Sequence, residues 1–278
     1  MIHFTKHRSQ TTVQWPIARR VVVLSACLLT LFIYLSLYRQ VSAVGETDIL
    51  TNGNQLYEKG DYQAATQLYE QLVSQNIADS TLYFNLGNAY YKQGELGRAI
   101  LNYIRAAHLA PRDADIRANL TLARSQVVDK YETDSQMLIG GMLTRIREAF
   151  SLDELAITAI GLWSLSALLW VVYRHGHSDR GRGAIKYALI GVAPLLFASV
   201  LALGGILYNE KARSPSIVVA SEIKVVSGPG EQYNTEFSLH QGAQISLLEI
   251  RGNWARIALP GDQIQGWTPT ITIEQISR

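Results

Sequence analysis

Three stretches of this 278-residue chain carry no charged side chain: Val21–Tyr38, Leu155–Tyr173 and Tyr187–Tyr208. An α-helix rises about 1.5 Å per residue, so roughly 20 such residues cross the hydrocarbon core of a bilayer. The second and third stretches bring Trp163, Trp170, Tyr173, Tyr187 and Tyr208, several of them near the ends, where amphipathic rings favour the membrane–water interface. Pro194 and the pair Gly204–Gly205 weaken a helix in water but are tolerated in lipid. Charged residues make up 17% of the chain, against roughly 25% in an ordinary soluble domain, and the deficit is concentrated in these runs. A single Cys excludes an intrachain disulfide framework, and a net charge of +2 gives no reason to expect nucleic acid.

The charges outside the runs assign sides. Residues 1–20 hold Lys6, Arg8, Arg19 and Arg20 and no acid, and the loop 174–186 holds Arg174, Arg180, Arg182 and Lys186 against Asp179. Residues 39–154 and 209–278 are both net acidic. Positive loops stay in the cytoplasm, which predicts the N-terminus and the 174–186 loop inside and both larger segments outside. The first run, with Val41-Ser42-Ala43 behind it, reads either as a signal removed after Ala43 or as a retained anchor over 21–38. Leu24-Ser25-Ala26-Cys27 spells a lipidation motif, but it sits at the start of the apolar run rather than its end, and a small buried thiol is the expectation.

The chain also repeats itself. A single shift that carries Gly53-Asn54 onto Gly87-Asn88 also carries Tyr57 onto Tyr91, Gly60 onto Gly94, Ala65 onto Ala99 and Tyr69 onto Tyr103. This period and pattern resemble the tetratricopeptide (TPR) repeat, a helix–turn–helix unit, with repeats at 46–79 and 80–113. In the second, Tyr83, Leu86, Gly87, Tyr90, Ala99, Tyr103, Ala106 and Pro111 fill the eight signature positions. One unit cannot bury its apolar face alone, so the repeats stack, and residues 114–130 read as the polar capping helix. The resemblance places the partner-binding concave face on Leu50, Asn54, Tyr57, Phe84, Asn88 and Tyr91, where the two amides could bond an extended peptide backbone. Leu50 and Phe84 stand where carboxylate-clamping relatives need lysines, so that mode is not expected. Packing of these side chains on a neighbouring element of the same chain is the competing reading.

Residues 137–150 space Ile139, Leu143, Ile146 and Phe150 helically, with Arg145, Arg147 and Glu148 opposite. They form either an interfacial helix or one packed on the TPR cap. Ser151 and Glu154 form a capping box that starts the second apolar helix, 155–173. The 174–186 loop and the run 187–208 complete a tight hairpin. His175 and His177 lack a third ligand nearby, so a solvated loop is expected and no metal site.

From residue 214 the period changes. Ile217–Ala220, Ile223–Val226, Ile245–Ile250, Ala255–Leu259 and Ile271–Ile273 read as five short strands. The order Gly228-Pro229, Gly242, Trp254, Gly266-Trp267 resembles the bacterial SH3 (SH3b) domain, with these residues mostly structural. The expected fold class is thus a multidomain membrane protein: an α-helical TPR solenoid, a transmembrane helical hairpin and a small all-β SH3-like barrel.

Taken together, the module order resembles the BatE-type TPR proteins of bacterial aerotolerance operons. The resemblance implies a scaffold in the cell envelope, with von Willebrand-type membrane proteins and a MoxR-type ATPase system as partners. The alternative is a tether that holds peptidoglycan through the SH3b domain. No P-loop, H-E-x-x-H, G-x-S-x-G or external Cys–His pair occurs, so neither catalysis nor a cofactor is expected.

Overall fold

The computed structural model describes residues 43–129, 138–175, 179–261 and 264–276. The first apolar run, the Cys27 motif, most of the cleavage signal before Ala43 and the H-x-H loop around His177 lie outside the described residues. Residues 50–278 form one compact unit.

Five helices come first among the described residues, the unit taking up the first of them at Leu50: α1 (Ala43–Glu58), α2 (Tyr62–Ser74), α3 (Ser80–Lys92), α4 (Leu96–Leu109) and α5 (Ala114–Ser125). Their ends repeat as the sequence does. Asp79 and Asp113, one repeat apart, each cap the next helix by accepting backbone N–H bonds, Asp79 from Leu82 at 2.9 Å and Asp113 from Ile116 at 3.1 Å. Gly60 and Gly94 turn the chain between helices at φ +82° and +79°, a region that a side chain would strain. The fully buried Ala65 and Ala99 let paired helices close on each other. A Cβ on Gly53 would lie 2.5 Å from the Tyr69 ring, and one on Gly87 would lie 2.7 Å from the Tyr103 ring. The repeat is thus a contact between glycine and tyrosine, made twice.

α6 (Leu138–Ala149) follows, then two long apolar helices, α7 (Leu152–His175) and α8 (Asp179–Arg213). The capping box forms: Ser151 N–H donates to Glu154 Oε2 at 3.0 Å, and Glu154 N–H to Ser151 Oγ at 3.2 Å. α7 and α8 pack on each other, and α8 continues through Pro194 without a break. α6 contacts α4 and α8. Arg147 donates to the carbonyl of His108 on α4 at 3.1 Å, and Leu143 sits where a Cβ on Gly205 of α8 would meet it at 3.1 Å.

From Pro215 onward the chain folds into seven strands of one antiparallel sheet: β1 (Pro215–Val218), β2 (Glu222–Val226), β3 (Thr235–His240), β4 (Gln244–Arg251), β5 (Trp254–Ala258), β6 (Gln265–Pro269) and β7 (Ile273–Gln275). The order is β3-β2-β6-β5-β4-β1-β7. Val218, Ile223, Val225, Leu239, Ile245, Leu247, Ile257 and Leu259 form its core. Two strands exceed the five expected from sequence. β3 is an edge strand with only Leu239 buried, so no apolar alternation marks it. β6 is short and bracketed by Gly266 and Pro269, which read as punctuation around Trp267. Of the strand expected over Ile271–Ile273 only Ile273 falls in β7; Ile271 and Thr272 belong to a 3₁₀ turn, Thr270–Thr272, that leaves Ile271 almost wholly exposed.

The sheet docks on the helical repeats along α4, which is buried continuously from Ala99 to Ala106 because the repeat covers one side and the sheet the other. Gly97 permits the approach: a Cβ there would lie 2.3 Å from the carbonyl oxygen of Val218. Leu96 N–H donates to Gln241 Oε1 at 3.0 Å. Gly242, at φ +88°, fits under Ile100 and Val127. Asp129 accepts from His240 N–H at 2.5 Å. Arg105, 7% exposed, donates to the carbonyls of Ile276 at 3.1 Å and Gln275 at 2.7 Å and pairs with Glu274 at 3.2 Å.

Candidate functional site

The six residues expected on the inner face lie on the first helices of the two repeats, Leu50, Asn54 and Tyr57 on α1 and Phe84, Asn88 and Tyr91 on α3, and all six are half-buried. The two asparagines are held by a hydrogen-bond ladder that repeats with the chain. Asn54 Oδ1 accepts from Tyr69 Oη at 2.7 Å and from Asn85 Nδ2 at 2.9 Å. Asn88 Oδ1 accepts from Tyr103 Oη at 2.7 Å and from Asn119 Nδ2 at 2.9 Å. Every member stands one repeat along from its counterpart.

This network fixes each amide's orientation, since an oxygen that accepts two bonds cannot be exchanged with nitrogen. Each Nδ2 therefore points away from the ladder, and among the described residues neither donates to a protein group. Burial, the largest cause, pushes the Tyr69 hydroxyl up to about 12, with Tyr57 and Glu58 adding to it, and burial likewise raises Tyr103. Both hydroxyls stay protonated and donate across the physiological range. The tyrosines thus carry the ladder through their hydroxyls, a role beyond the ring packing expected of their signature positions. Asn85 and Asn119, which the sequence reasoning missed, stand at the same repeat spacing and could have been found from it.

Around the amides, Tyr57 stacks edge-on against Tyr62 with ring centroids 5.1 Å apart, and Phe84 tilts on Tyr103 at 6.0 Å. Tyr91 accepts from Gln126 at 2.6 Å. The face thus alternates oriented amide donors with aromatic surface, which suits an extended backbone flanked by apolar side chains. Removing the Tyr103 hydroxyl tests how far the ladder stiffens this face. Tyr103→Phe is expected to lower stability by about 1 kcal/mol, because Asn88 keeps its bond from Asn119, and Tyr69→Phe by a similar amount. Thermal unfolding of the two variants measures both.

The signature residues of the repeat are packing residues. Leu86, Tyr90, Ala99, Tyr103, Ala106 and Pro111 are buried, Gly87 receives the Tyr103 ring, and Tyr83 lies half-exposed under the Arg105 guanidinium at 5.9 Å. In the sheet, Gly228 and Pro229 form the turn after β2, and a Cβ on Gly266 would strike Val225 at 2.4 Å. Trp267 is 7% exposed with Arg251 stacked over it at 5.2 Å, and Trp254 is half-buried.

His108, at the foot of α4, is pushed down to about 3 by burial, with Arg147 and Arg124 adding to the effect. At neutral pH it is uncharged in the folded and unfolded chain alike. Below its ordinary value of 6.5 the unfolded chain takes up a proton that the folded chain refuses until about pH 3, so stability falls as pH drops through that window. His108→Gln is expected to flatten this dependence by about one proton, or roughly 1.4 kcal/mol per pH unit near pH 5. Denaturant midpoints measured on either side of that pH check it.

The family model for the TPR repeat matches residues 53–94, and that for the tetratricopeptide repeat matches 80–113. Residues 53–113 are TPR repeats, a module that mediates protein–protein interaction and is typically a scaffold rather than an enzyme. No curated protein matches the chain.

Proposed function

We propose that this chain is a non-catalytic scaffold of a bacterial inner membrane, whose TPR inner face recruits a protein segment outside the cytoplasm. The observation that carries this reading is the Asn–Tyr–Asn ladder. It presents Asn54 and Asn88 Nδ2 in the same orientation on successive repeats, between half-buried aromatics.

α7 and α8 are long and apolar enough to cross a membrane, and their apolar side chains, Ile160, Trp163, Leu168, Phe197 and Leu201 among them, stay exposed on the protein. A bilayer would cover that surface; water would not favour it. The basic residues around 174–186 put the short loop inside and the repeats and sheet outside. The sheet, with Trp254 and Trp267 in the SH3b order, is read as an SH3-like barrel. Recruitment is put before wall tethering because Trp267 has little surface left for a sugar. The BatE-type order of modules makes von Willebrand-type membrane proteins and a MoxR-type ATPase system the first partners to test.

A photo-crosslinker at Tyr91 or Phe84 in intact cells should trap a second protein. Adducts confined to this chain's own helices would sink the proposal and favour the packing alternative.

A further inference from the structure

The inner face does not end at α3. α5 packs on α4 as α3 packs on α2, and at the same rotation about its own axis. The shift that relates the two repeats carries Leu82, Leu86 and Ala89 onto Ile116, Leu120 and Ala123, and all of these are buried. Asn119 reaches back to Asn88 as Asn85 reaches back to Asn54. The same shift therefore places Ala118, Leu122 and Ser125 of α5 where Phe84, Asn88 and Tyr91 stand on α3. Ala118, Leu122 and Ser125 are exposed.

Leu122 breaks two patterns at once. It stands where both repeats carry an amide, so the ladder stops at Asn119. It is also the only large apolar side chain exposed on α5, at 51%. Ala118 and Ser125 lie one helical turn to either side of it, and being small they leave its flanks uncovered. A further stacked helix is not what it awaits. α3 meets the helix that follows it, α4, through Tyr83, Gly87 and Tyr90, against Arg105, Tyr103 and Arg98. The counterparts on α5 are Arg117, Thr121 and Arg124, so a helix stacked there would bury two cations. The side that remains is continuous with the face holding Asn54 and Asn88, and a segment lying across successive first helices passes from Asn88 to Leu122.

We infer that α5 adds a side-chain-reading position to the inner face: Leu122 receives a bulky apolar side chain of the extended segment whose backbone Asn54 and Asn88 hold. This inference rests on recruitment at the inner face. The two positions divide the work of recognition. Amide donors bond any extended backbone alike, whereas an exposed leucine between small neighbours gains only from an apolar group laid against it. The partner is therefore a segment with a Leu, Ile, Met or Phe anchor, and a polar residue at that place costs it affinity.

The test uses the full chain in lipid nanodiscs, with phage-displayed random dodecapeptides as the probe. Peptides selected on the native chain should share a bulky apolar residue at one position. Synthetic copies should bind Leu122→Ser roughly fivefold more weakly, and copies with serine at the shared position should no longer distinguish the two chains. Ala118→Trp, which covers Leu122 from the side without removing a packed group, should weaken the apolar peptides to a similar degree. Peptides weakened by Asn54→Asp with Asn88→Asp but bound equally by Leu122→Ser would overturn the reading position and leave recruitment standing. Peptides indifferent to the amide pair, or no selected peptide at all, would overturn recruitment and this inference with it. A gain of helical circular dichroism on binding would assign Leu122 to a stacked helix, which also overturns it.

Discussion

Arg105→Ala is expected to cost about 3–5 kcal/mol and to release the last strand from the repeats. The guanidinium is 7% exposed and serves three groups at the end of that strand at once, through Nη2 to Glu274 and Gln275 and through Nε to Ile276 just after it. Truncation removes one buried donor that two carbonyls and a carboxylate share. Glu274 is 35% exposed and regains water, which places the loss toward the lower end of the range. Lysine keeps the charge but not the fork, so Arg105→Lys should fall between alanine and the native chain. Hydrogen exchange reads the effect directly. Amides of β7 and β1 should lose protection on the order of 10²–10³-fold, while those of α2 and α3 keep theirs.

Gly97→Val carries the second large effect, and its sign separates docking from helix propensity. Within an isolated helix, valine is a better residue than glycine by a few tenths of a kcal/mol. Against the sheet, its Cβ would lie 2.3 Å from the Val218 carbonyl oxygen and 3.0 Å from Val219 Cα, both backbone atoms that cannot swing aside. Overpacking of this kind costs roughly 3 kcal/mol, several times the propensity gain. The same carbonyl accepts from Gly242 N–H at 2.8 Å, so exchange at Gly242 should accelerate in the variant. Unchanged exchange there would mean that the two modules are held by something other than this approach.

The parts of the molecule that are legible in the sequence are those where a physical requirement recurs. Gly53 and Gly87 meet Tyr69 and Tyr103 in the same way, so one constant spacing marks the helical pairs in the sequence alone. The capping box of Ser151 and Glu154 was legible because it needs two residue types at one fixed separation. The docking of sheet on repeats was not. Gly97 looks like an ordinary tolerated glycine in a helix, and Arg105 like a solvated cation, because their partners lie far along the chain, at Val218 and at Glu274 to Ile276. The inner face was half legible. Asn54 and Asn88 were singled out as able to bond a peptide backbone, but that their oxygens are already committed depends on Asn85 and Asn119, which reach across from α3 and α5, two helices further along.

That division of labour within one amide gives the most direct test of partner recruitment. Asn54→Asp with Asn88→Asp keeps an oxygen at each Oδ1 position, so the bonds from Tyr69, Asn85, Tyr103 and Asn119 survive, while both Nδ2 donors disappear. Photo-crosslinking from Tyr91 is then compared in the native chain and the double variant, with thermal unfolding run alongside. Unfolding should stay close to native while partner adducts fall at least tenfold, as the loss of two oriented hydrogen bonds requires. Undiminished adducts in a folded double variant would mean that the amides of the inner face do not hold the partner.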